Sequence, residues 1–555
     1  MGRSQRRRSL PGPGSLSALA VLAAGLALPS CGRPPVEVEG PRLVVFLVVD
    51  QMRADSLDRY RPVLRHGIGR LLAEGVRFTA AFHEHAVPTT APGHATLISG
   101  RFPRHHGIIG NAWTERESGY EVESVEDDAV RVSPRRLRVS TFGDWLKEAD
   151  RRSRVLAVST KDRSAVLLGG HGADGAYWYD EALGRWVTSE HYPAGARRFL
   201  AREPERWSAD RHFGRLWEPL DAVALASLPG VAPVDLGVLD AGFPHAIGDP
   251  TPAPEEEFWD DFYDSPFTDE VVEEMAEALV RHFALGADDA TDLLALSFSA
   301  LDTVGHRYGP DSPELLDTLM RVDRRVGRLL DFLDAEIGLE RVLVSLSADH
   351  GVLTVPEVAI ARGEAGGRLA GEDVACLQRL GEELSRRHGE DRWLRPGPFF
   401  DEATLARRGV ARAVLETESR ELLERCSAVA RVWTRGELVA AGAGEGSPDE
   451  RLFVRAFDPE RSPDLLVQLE PGWVAWTDDA TTHLSVYEDD RHVPWIVRLP
   501  AGTAATVATP VATADVAPTL AEIVGVGTPP ELDGVSRAAL LRPPKANHES
   551  PSPKR

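Results

Sequence analysis

The stretch LVVFLVVD, residues 43–50, is a run of seven apolar residues that ends on the carboxylate of Asp50. Such a run predicts a strand buried on both faces of a parallel sheet, and open α/β sheets place their sites at the carboxyl ends of such strands. Forty residues later, VPTTAPGHATLISG carries Thr90 where a turn leads into a helix, with Thr89 as the alternative hydroxyl. Helix-terminal N–H groups favour a bound anion such as phosphate, so Asp50 and Thr90 suit a nucleophile activated by metal.

Further metal donors follow two other apolar runs and a loop. DLLALSFS precedes Asp302 and His306, which are four residues apart and can face one ion from a helical turn. VLVSLS precedes Asp349 and His350, and the segment TTHLSVYEDD supplies His483. Taken singly, each pair is also compatible with ordinary solvated residues. Together with the two residues above they fit two four-coordinate zinc ions, although manganese and cobalt accept the same donors.

Helical and strand patterns alternate through these motifs. SLDRYRPVLRHGIGRLLAEG, residues 56–75, predicts a helix, and RVLAV, residues 154–158, predicts a strand. LLDTLMRVDRRVGRLLDFL, residues 315–333, predicts a long amphipathic helix before the next strand. The alternation predicts an α/β fold with a mainly parallel central sheet flanked by helices.

Two stretches interrupt this alternation within a domain that we expect from about residue 40 to 540. Residues from about 164 to 265 carry proline-rich segments and the aromatic run AYWYD, which either faces a ligand or packs in the core. Residues from about 355 to 460 carry acidic helices and a glycine-rich segment. Both are interpreted as insertions that cap the cleft or brace the sheet. Residues 543–555, PPKANHESPSPKR, predict a disordered tail.

The first 31 residues predict an export signal peptide rather than part of the fold. A basic start, MGRSQRRRSL, precedes the fourteen-residue apolar run SLSALAVLAAGLAL, which is too short to span a bilayer comfortably. LPSC then ends the segment and fits a lipoprotein box, in which case Cys31 carries a lipid anchor to a membrane surface. The alternative is ordinary cleavage near Ser30. Either way we expect a periplasmic or cell-envelope location.

The cysteine content and the net charge exclude a disulfide-rich protein and argue against one that binds nucleic acid. Cys376 and Cys426 are the remaining cysteines, so disulfides cannot be the framework of a 555-residue chain. An oxidising compartment permits one bridge between them, and the alternative is two separate buried thiols. A formal net charge of −23 argues against nucleic acid as a partner, because phosphate backbones need clustered lysine and arginine.

In their order along the chain, D, TAPGHA, GIIGN, KDR, DxxGH, ADHG and TTH resemble the alkaline phosphatase superfamily. The resemblance is greatest to single-chain bacterial alkaline phosphatases of the PafA type, and it covers residues from about 40 to 540. It implies Thr90 as the nucleophile and two zinc ions as cofactors. The implied ligands are Asp302, His306 and His483 for one zinc, and Asp50, Asp349, His350 and the Thr90 oxygen for the other.

The resemblance also implies which phosphoryl compounds are favoured. In the resembled monoesterases, residues matching Asn111, Lys161 and Arg163 contact the non-bridging oxygens of the transferred group. Two zinc ions against three carboxylates and a Thr90 alkoxide make the metal centre near neutral, so Lys161 and Arg163 leave it about two units positive. That charge suits a phosphate monoester dianion better than a diester monoanion. The alternative is that KDR is an exposed polar turn.

Three classes of function follow. The first is an exported zinc alkaline phosphatase, a monomer that hydrolyses small phosphate monoesters through a phosphothreonine intermediate. The second is a phosphodiesterase or nucleotide pyrophosphatase on the same metal core, distinguished by whether Lys161 and Arg163 point into the site. The third is a non-catalytic envelope lipoprotein that keeps the fold for binding. A sulfatase is disfavoured because the CxPxR motif is absent from the sequence.

Overall fold

A ten-stranded sheet organises the part of the chain that the computed structural model describes. Its strands are labelled β1 to β10 in chain order. The described residues are 40–228, 230–231, 242–248, 253–442, 446–475 and 479–541. The strands are Leu43–Val49 (β1), Val76–Phe82 (β2), Val155–Ser159 (β3), Gly175–Asp180 (β4), Arg185–Val187 (β5), Asp292–Phe298 (β6), Val342–Ser347 (β7), His492–Arg498 (β8), Ala505–Val507 (β9) and Val511–Ala512 (β10).

The middle of the sheet is parallel. In space the strands follow the order β9, β2, β8, β7, β1, β6, β3, β4 and β5, with β10 beside β2. Strands β7, β1, β6, β3 and β4 are parallel to one another, whereas β8 is antiparallel to both β7 and β2, and β5 is antiparallel to β4. Every residue of β1 is fully buried, as a continuous apolar run in a two-sided sheet requires. The predicted fold class, with a mainly parallel sheet flanked by helices, is confirmed.

Helices cover both faces of this sheet. Several of them begin at the edge where the parallel strands end. The long helix predicted over 315–333 is confirmed and extends slightly further at both ends. The helices used below are Gly67–Glu74 (α1), Thr90–Ser99 (α2), Phe142–Ala149 (α3), Asp162–Gly169 (α4), Thr268–Phe283 (α5), Ala300–Tyr308 (α6), Pro313–Glu336 (α7) and Val516–Val524 (α8).

The single helix predicted over residues 56–75 is wrong. The segment forms a short helix, Ser56–Arg59, then a turn, and only then α1. Proline at position 62 cannot sit inside a helix without loss of a hydrogen bond, which explains the break. The second piece begins where the carboxylate of Asp323 on α7 accepts hydrogen bonds from four backbone N–H groups, those of Arg65, His66, Ile68 and Gly69. A tertiary contact, rather than the local pattern, therefore sets the start of α1.

The two stretches expected as insertions differ in how they relate to the sheet. The range 164–265 begins inside α4, and its strands β4 and β5 pair with the central sheet. The range 355–460 forms its own helices and lies partly on a separate apolar cluster around Leu384, Trp393 and Leu415. The helices in this second range are Pro356–Ala361, Glu372–Gln378, Leu380–His388, Glu402–Arg408, Arg412–Leu423, Arg435–Ala441 and Pro448–Ala456.

Short two-stranded sheets and helices complete the periphery. The strand pairs are Ala112–Thr114 with Glu121–Glu123, Glu126–Asp127 with Arg131–Val132, Arg215–Trp217 with His245–Ile247, Gly367–Arg368 with Trp473–Val474, Leu394–Arg395 with Phe399–Phe400, and Val429–Thr434 with Leu465–Leu469. The remaining α-helices are Pro103–His106, Ala194–Leu200, Ala222–Ser227, Glu256–Tyr263 and Glu488–Arg491.

A disulfide joins Cys376 to Cys426, whose Cα atoms are 5.9 Å apart. The bridge ties the helix Glu372–Gln378 to the end of Arg412–Leu423 and decides between the two alternatives open for these cysteines. It lies in the separate apolar cluster, away from the central sheet.

Some predictions fall outside the described residues. The signal peptide, the lipid anchor at Cys31 and the tail at 543–555 all belong to parts of the chain of which no structure is described. Among the described helices, none combines the length and the apolar character needed to cross a membrane.

Acidification should destabilise the fold through His85 and His106, which are fully buried. Burial lowers the pKa of His85 to about 4, and burial with the neighbouring His85 lowers the pKa of His106 well below its ordinary value. Below a pH of about 6.5 the unfolded chain therefore binds protons that the folded chain does not. As the pH is lowered below about 6.5, the free energy of unfolding should fall by up to about 1.4 kcal/mol per pH unit for each histidine. For His85 this loss should end near pH 4.

Urea unfolding between pH 7.5 and 4.5, with a chelator present throughout, measures this slope. The double variant His85→Asn, His106→Asn should be less stable at neutral pH but lose less stability on acidification. An equal slope in both proteins would show that these histidines do not set the acid response.

Candidate metal centre

The three carboxylates predicted to share a site follow three adjacent strands. Strand β1 lies between β6 and β7 and is parallel to both, so the carboxyl ends of all three meet at one edge of the sheet. Asp50 directly follows β1, and its N–H donates to the Phe298 carbonyl at the end of β6. Asp302 lies in the first turn of α6, and Asp349 lies two residues after β7. The central sheet therefore collects residues that are about 300 positions apart in sequence.

Asp302, His306 and His483 form the first group of candidate ligands. One donor atom from each lies within 4.8 Å of the others, and Nε2 of His306 is 3.3 Å from Oδ1 of Asp302. Nδ1 of His306 donates to the Thr481 carbonyl at 2.9 Å, and Nδ1 of His483 donates to the Pro88 carbonyl at 3.1 Å. Because a carbonyl can only accept, each bond fixes the tautomer and leaves Nε2 as a lone-pair donor for a metal.

Asp50, Asp349 and His350 form the second group, again with donor atoms within 4.8 Å of one another. Nε2 of His350 is 3.4 Å from an oxygen of each carboxylate, and its Nδ1 donates to the Gly351 carbonyl at 2.9 Å. The ring of His350 stacks on that of His483 with centroids 3.8 Å apart, so the two groups are neighbours. The six protein side chains predicted as metal ligands thus divide into the two predicted sets.

The chemistry of these groups suits divalent cations. Nε2 of His350 and Oδ1 of Asp50 are buried and have no hydrogen-bond partner within the described part of the chain. Burial, followed by repulsion from Asp349, raises the pKa of Asp50 well above the ordinary aspartate value. Buried carboxylates beside imidazole lone pairs are the donor set of zinc sites, so the residues present fit a metal ion in each group.

Thr90 is the first residue of α2 and is almost completely buried. Thr89 precedes it in an extended conformation, with φ of −134°, so the chain turns into the helix between the two threonines. The N–H of Ala91 donates to Oδ1 of Asn111 at 2.8 Å. Asn111 therefore lies at the N-terminus of α2 beside Thr90, with its amide NH₂ as a donor for an anion bound there.

The first turn of α2 is held against the second ligand group. Nδ1 of His94 lies 2.8 Å from the Thr90 carbonyl oxygen and 3.1 Å from Oδ2 of Asp349. A Cβ atom at Gly93 would lie 2.1 Å from the Asp349 carbonyl oxygen, closer than any real contact allows. Glycine at this position is therefore what lets the helix that begins at Thr90 approach the candidate ligand Asp349.

Lys161 enters the site directly before α4, and Arg163 lies in the first turn of that helix. The ammonium group of Lys161 is 2.7 Å from Oδ2 of Asp50 and also contacts the carboxylate of Asp302. Burial disfavours its charge, but Asp302 and Asp50 raise the pKa of Lys161 above the ordinary lysine value, so it stays a cation. Arg163 interacts electrostatically with Asp50 and Asp302, and its Nε is buried without a hydrogen-bond partner among the described residues. The interpretation of KDR as an exposed turn does not hold for Lys161, which is 3% exposed.

Gln51 is a site residue that the sequence did not single out. Its N–H is 3.2 Å from Oδ1 of Asp349 and its side-chain NH₂ is 2.8 Å from Oδ1 of Asp302, so it connects the two ligand groups. Its φ of 66° is uncommon for a residue other than glycine and persists because these contacts hold it. A Cβ at Gly305 would lie 1.9 Å from its Oε1, so Gly305 makes room for this side chain. The only signal in the sequence was its place directly after Asp50.

The aromatic run in AYWYD belongs to the core. Tyr177, Trp178 and Tyr179 lie on β4 and are all buried, and the ring of Tyr179 packs against Trp186 and Phe262. Of the two alternatives for this run, packing is therefore the one observed.

Comparison with known proteins shows similarity to one protein family and to alkaline phosphatases. Residues 44–493 match the family described as type I phosphodiesterase / nucleotide pyrophosphatase. Alkaline phosphatase PhoV of Synechococcus elongatus is 30% identical over 487 residues, which cover 83% of this chain and 86% of that protein. Alkaline phosphatase PhoD of Zymomonas mobilis is 30% identical over 511 residues, covering 88% and 86%. The crystal structure of wild-type alkaline phosphatase PafA matches with a TM-score of 0.80 at 26% identity, covering 91% of this chain and 99% of that one.

Replacement of Gln51 by leucine should weaken metal binding about 10- to 100-fold, because two ligand carboxylates lose the group that orients them. Competition with a chromophoric chelator measures the zinc affinity of the variant and the parent protein. Gln468→Leu is the matched control, since Gln468 is also buried but bonds to Trp433 and Asp449. Equal affinities in the parent and the Gln51→Leu variant would mean that Gln51 does not position the ligands.

Proposed function

Because the chain belongs to the type I phosphodiesterase / nucleotide pyrophosphatase family, we propose that it is a zinc-dependent alkaline phosphatase that hydrolyses phosphate monoesters. Similarity to the alkaline phosphatases PhoV and PhoD over 83% and 88% of this chain supports a phosphatase of the alkaline phosphatase superfamily. In this function the enzyme is exported, acts as a monomer and forms a phosphothreonine intermediate at Thr90.

The placement of Lys161 is the observation that carries the monoesterase proposal. Its ammonium group lies between the carboxylates of Asp50 and Asp302, one from each ligand group, and Arg163 is its neighbour on α4. Two divalent cations, three carboxylates and an ionised Thr90 hydroxyl sum to a neutral centre, to which these two residues add two positive charges. A dianionic phosphate monoester matches that charge better than a diester, which carries one negative charge.

The residues present fit two zinc ions. Asp302, His306 and His483 would hold one, and Asp50, Asp349 and His350, with the Thr90 oxygen, would hold the other. When bound, such ions supply Lewis-acid charge that lowers the pKa of a hydroxyl group and offsets negative charge on substrate oxygens.

The chain itself carries out positioning and nucleophilic attack. The Thr90 hydroxyl loses its proton to solvent, and its Oγ1 attacks phosphorus while the bond from phosphorus to the ester oxygen breaks. The departing oxygen takes a proton from solvent, which gives the free alcohol and leaves phosphothreonine. Water then attacks the same phosphorus, and the Thr90 oxygen departs as phosphate is released. The NH₂ of Asn111, the guanidinium of Arg163 and the ammonium of Lys161 would bind the non-bridging phosphoryl oxygens, as phosphoryl transfer requires.

Hydrogen bonds away from the reacting atoms fix the positions of Thr90 and of the candidate ligands. His94 joins the Thr90 carbonyl to Asp349, so the nucleophile and the second ligand group cannot move independently. Asp269 accepts hydrogen bonds from the N–H groups of Ser299 and Ala300 and so fixes the start of α6, which carries Asp302. The site is thus organised before substrate binds, which is the main source of electrostatic catalysis.

Phosphodiester hydrolysis is the second candidate, favoured by the family description itself. Export is supported by the basic and apolar N-terminal segment and by the disulfide between Cys376 and Cys426, since disulfides persist in oxidising compartments. The non-catalytic lipoprotein is the weaker alternative, because the described residues bring all the candidate ligands and Thr90 to one edge of the sheet.

Hydrolysis of matched esters tests the choice between monoesterase and diesterase. On the zinc-loaded protein that starts after Cys31, kcat/KM for an aryl phosphate monoester should greatly exceed that for the matching diester. Arg163→Ala should lower monoester kcat/KM about 100-fold and diester kcat/KM much less, because only the dianion gains from the second positive charge. Preference for the diester, or equal losses on both esters, would move the protein to the diesterase class.

Thr90→Ala should reduce turnover of any accepted ester by about 1,000-fold or more, because the covalent route is lost. Bound zinc should remain nearly unchanged, since Asp50, Asp349 and His350 are retained. Thr89→Ala is the matched control and should keep most activity. Acid quenching with a ³²P-labelled substrate should trap label on the parent protein and none on the Thr90→Ala protein. Full activity in the latter would contradict the assignment of the nucleophile.

A further inference from the structure

An apolar cavity of about 270 Å³ adjoins the first ligand group. Its wall includes the side chains of Leu353, Leu369, Phe453, Trp473 and Tyr487, and His483 forms part of the same wall. The described lining contains no lysine, arginine, aspartate or glutamate. The cavity therefore suits an uncharged apolar group rather than a nucleotide or another phosphate.

Three segments that carry site residues also build this cavity. Val87 lies three residues before Thr90, Leu353 lies three after His350, and Leu484 directly follows His483. The last two segments are joined by hydrogen bonds from the Thr481 hydroxyl to the Leu353 carbonyl at 2.9 Å and from the Leu353 N–H to the Thr482 carbonyl at 3.3 Å. The first and third are joined by the bond from His483 to the Pro88 carbonyl. The cavity and the candidate metal centre therefore share a rigid boundary.

The mouth of the cavity exposes apolar surface. Leu484 is 46% exposed and Val467 is 37% exposed, and both lie in the lining. Leu484 has a φ of 108°, a conformation that leucine rarely adopts and that persists only where the surroundings hold it. An exposed leucine kept in such a conformation beside a candidate metal ligand is better explained by contact with a ligand than by packing, since its side chain gains little burial here.

We propose that this cavity binds the apolar part of the leaving alcohol, so that the preferred substrates are phosphate monoesters of aryl or long alkyl alcohols. The inference rests on the proposed function. In phosphoryl transfer the attacking and leaving oxygens lie roughly in line, so an oxygen displaced by Thr90, beside the second ligand group, departs towards the first group, Asp302, His306 and His483. An alcohol leaving in that direction places its carbon chain beside His483, where the cavity begins. Burial of the chain removes apolar surface from water and so favours the longer ester.

Two esters with nearly equal leaving-group pKa test this inference. The full zinc-loaded protein should hydrolyse 3-phenylpropyl phosphate with kcat/KM at least about tenfold above that for propyl phosphate. Calorimetric titration with the two matching phosphonates, which are not hydrolysed, should give the same order of Kd. Binding then provides a measure that does not depend on turnover.

Two variants at the mouth of the cavity and one control variant test whether the cavity causes the preference for the phenylpropyl compounds. Leu484→Asn introduces a polar residue that tolerates positive φ, and Val467→Asn lies away from the candidate metal ligands in sequence. Each should reduce the preference for the phenylpropyl compounds at least about threefold and leave propyl phosphate kcat/KM within about twofold of the parent value. Val414→Asn, which changes another partly exposed valine outside the cavity, should alter neither.

Failure of the inference about the cavity can be distinguished from failure of the proposed function. Equal kcat/KM and equal Kd for the two chain lengths would overturn the inference while hydrolysis of both esters still supports the proposed function. A preference that survives unchanged in Val467→Asn and Leu484→Asn would also overturn it, because the selectivity would then arise elsewhere. Absence of hydrolysis for both esters and for a simple aryl phosphate would overturn the proposed function itself and the inference with it.

Discussion

Like-charge repulsion among three buried carboxylates is the constraint on which the rest of this structure depends. Parallel pairing of β1 with β6 and β7 brings Asp50, Asp302 and Asp349 to one edge of the sheet. The register pairs Val48 with Ser347 and Val49 with Phe298, so the three strands end at almost the same level. Buried carboxylates at such distances cannot all ionise without nearby cations. Lys161 supplies one positive charge, and the imidazole lone pairs beside the carboxylates complete donor sets that suit metal ions.

The surrounding elements are attached to these carboxylates and, at the loop that carries His483, also to one another. Gln51 bonds to Asp302 and Asp349, and His94 links Asp349 to the helix that begins at Thr90. The loop that carries His483 is fixed by its bond to the Pro88 carbonyl, two residues before Thr90. The contacts of His94 and His483 therefore fix the position of the segment around Thr90 relative to the candidate ligands. This explains why residues that need not touch a metal, such as Gln51 and Gly93, have narrow conformational and steric requirements.

The proposed chemistry and the proposed substrate selectivity are assigned to different parts of the chain. Phosphoryl transfer is assigned to the edge of the central sheet, whose strands are buried and whose register leaves little room for change. The proposed leaving-group cavity takes Leu369 and Phe453 from the 355–460 stretch, which has its own apolar cluster and a disulfide. A peripheral segment of this kind can change shape without disturbing the metal ligands. Substrate preference can therefore vary on a constant catalytic core.

The sequence by itself determined the parallel sheet and the residues at its carboxyl edge, because continuous apolar runs that end on aspartate constrain both burial and strand direction. It also determined the long helix α7, whose amphipathic period is strong. Only the tertiary structure decided the break in the 56–75 segment, since Asp323 from a distant helix accepts the N–H groups at the start of α1. The same holds for Gln51, for the cysteine bridge and for the apolar cavity. Each depends on side chains that are distant in sequence, and local patterns contain no information about such pairings until the chain has folded.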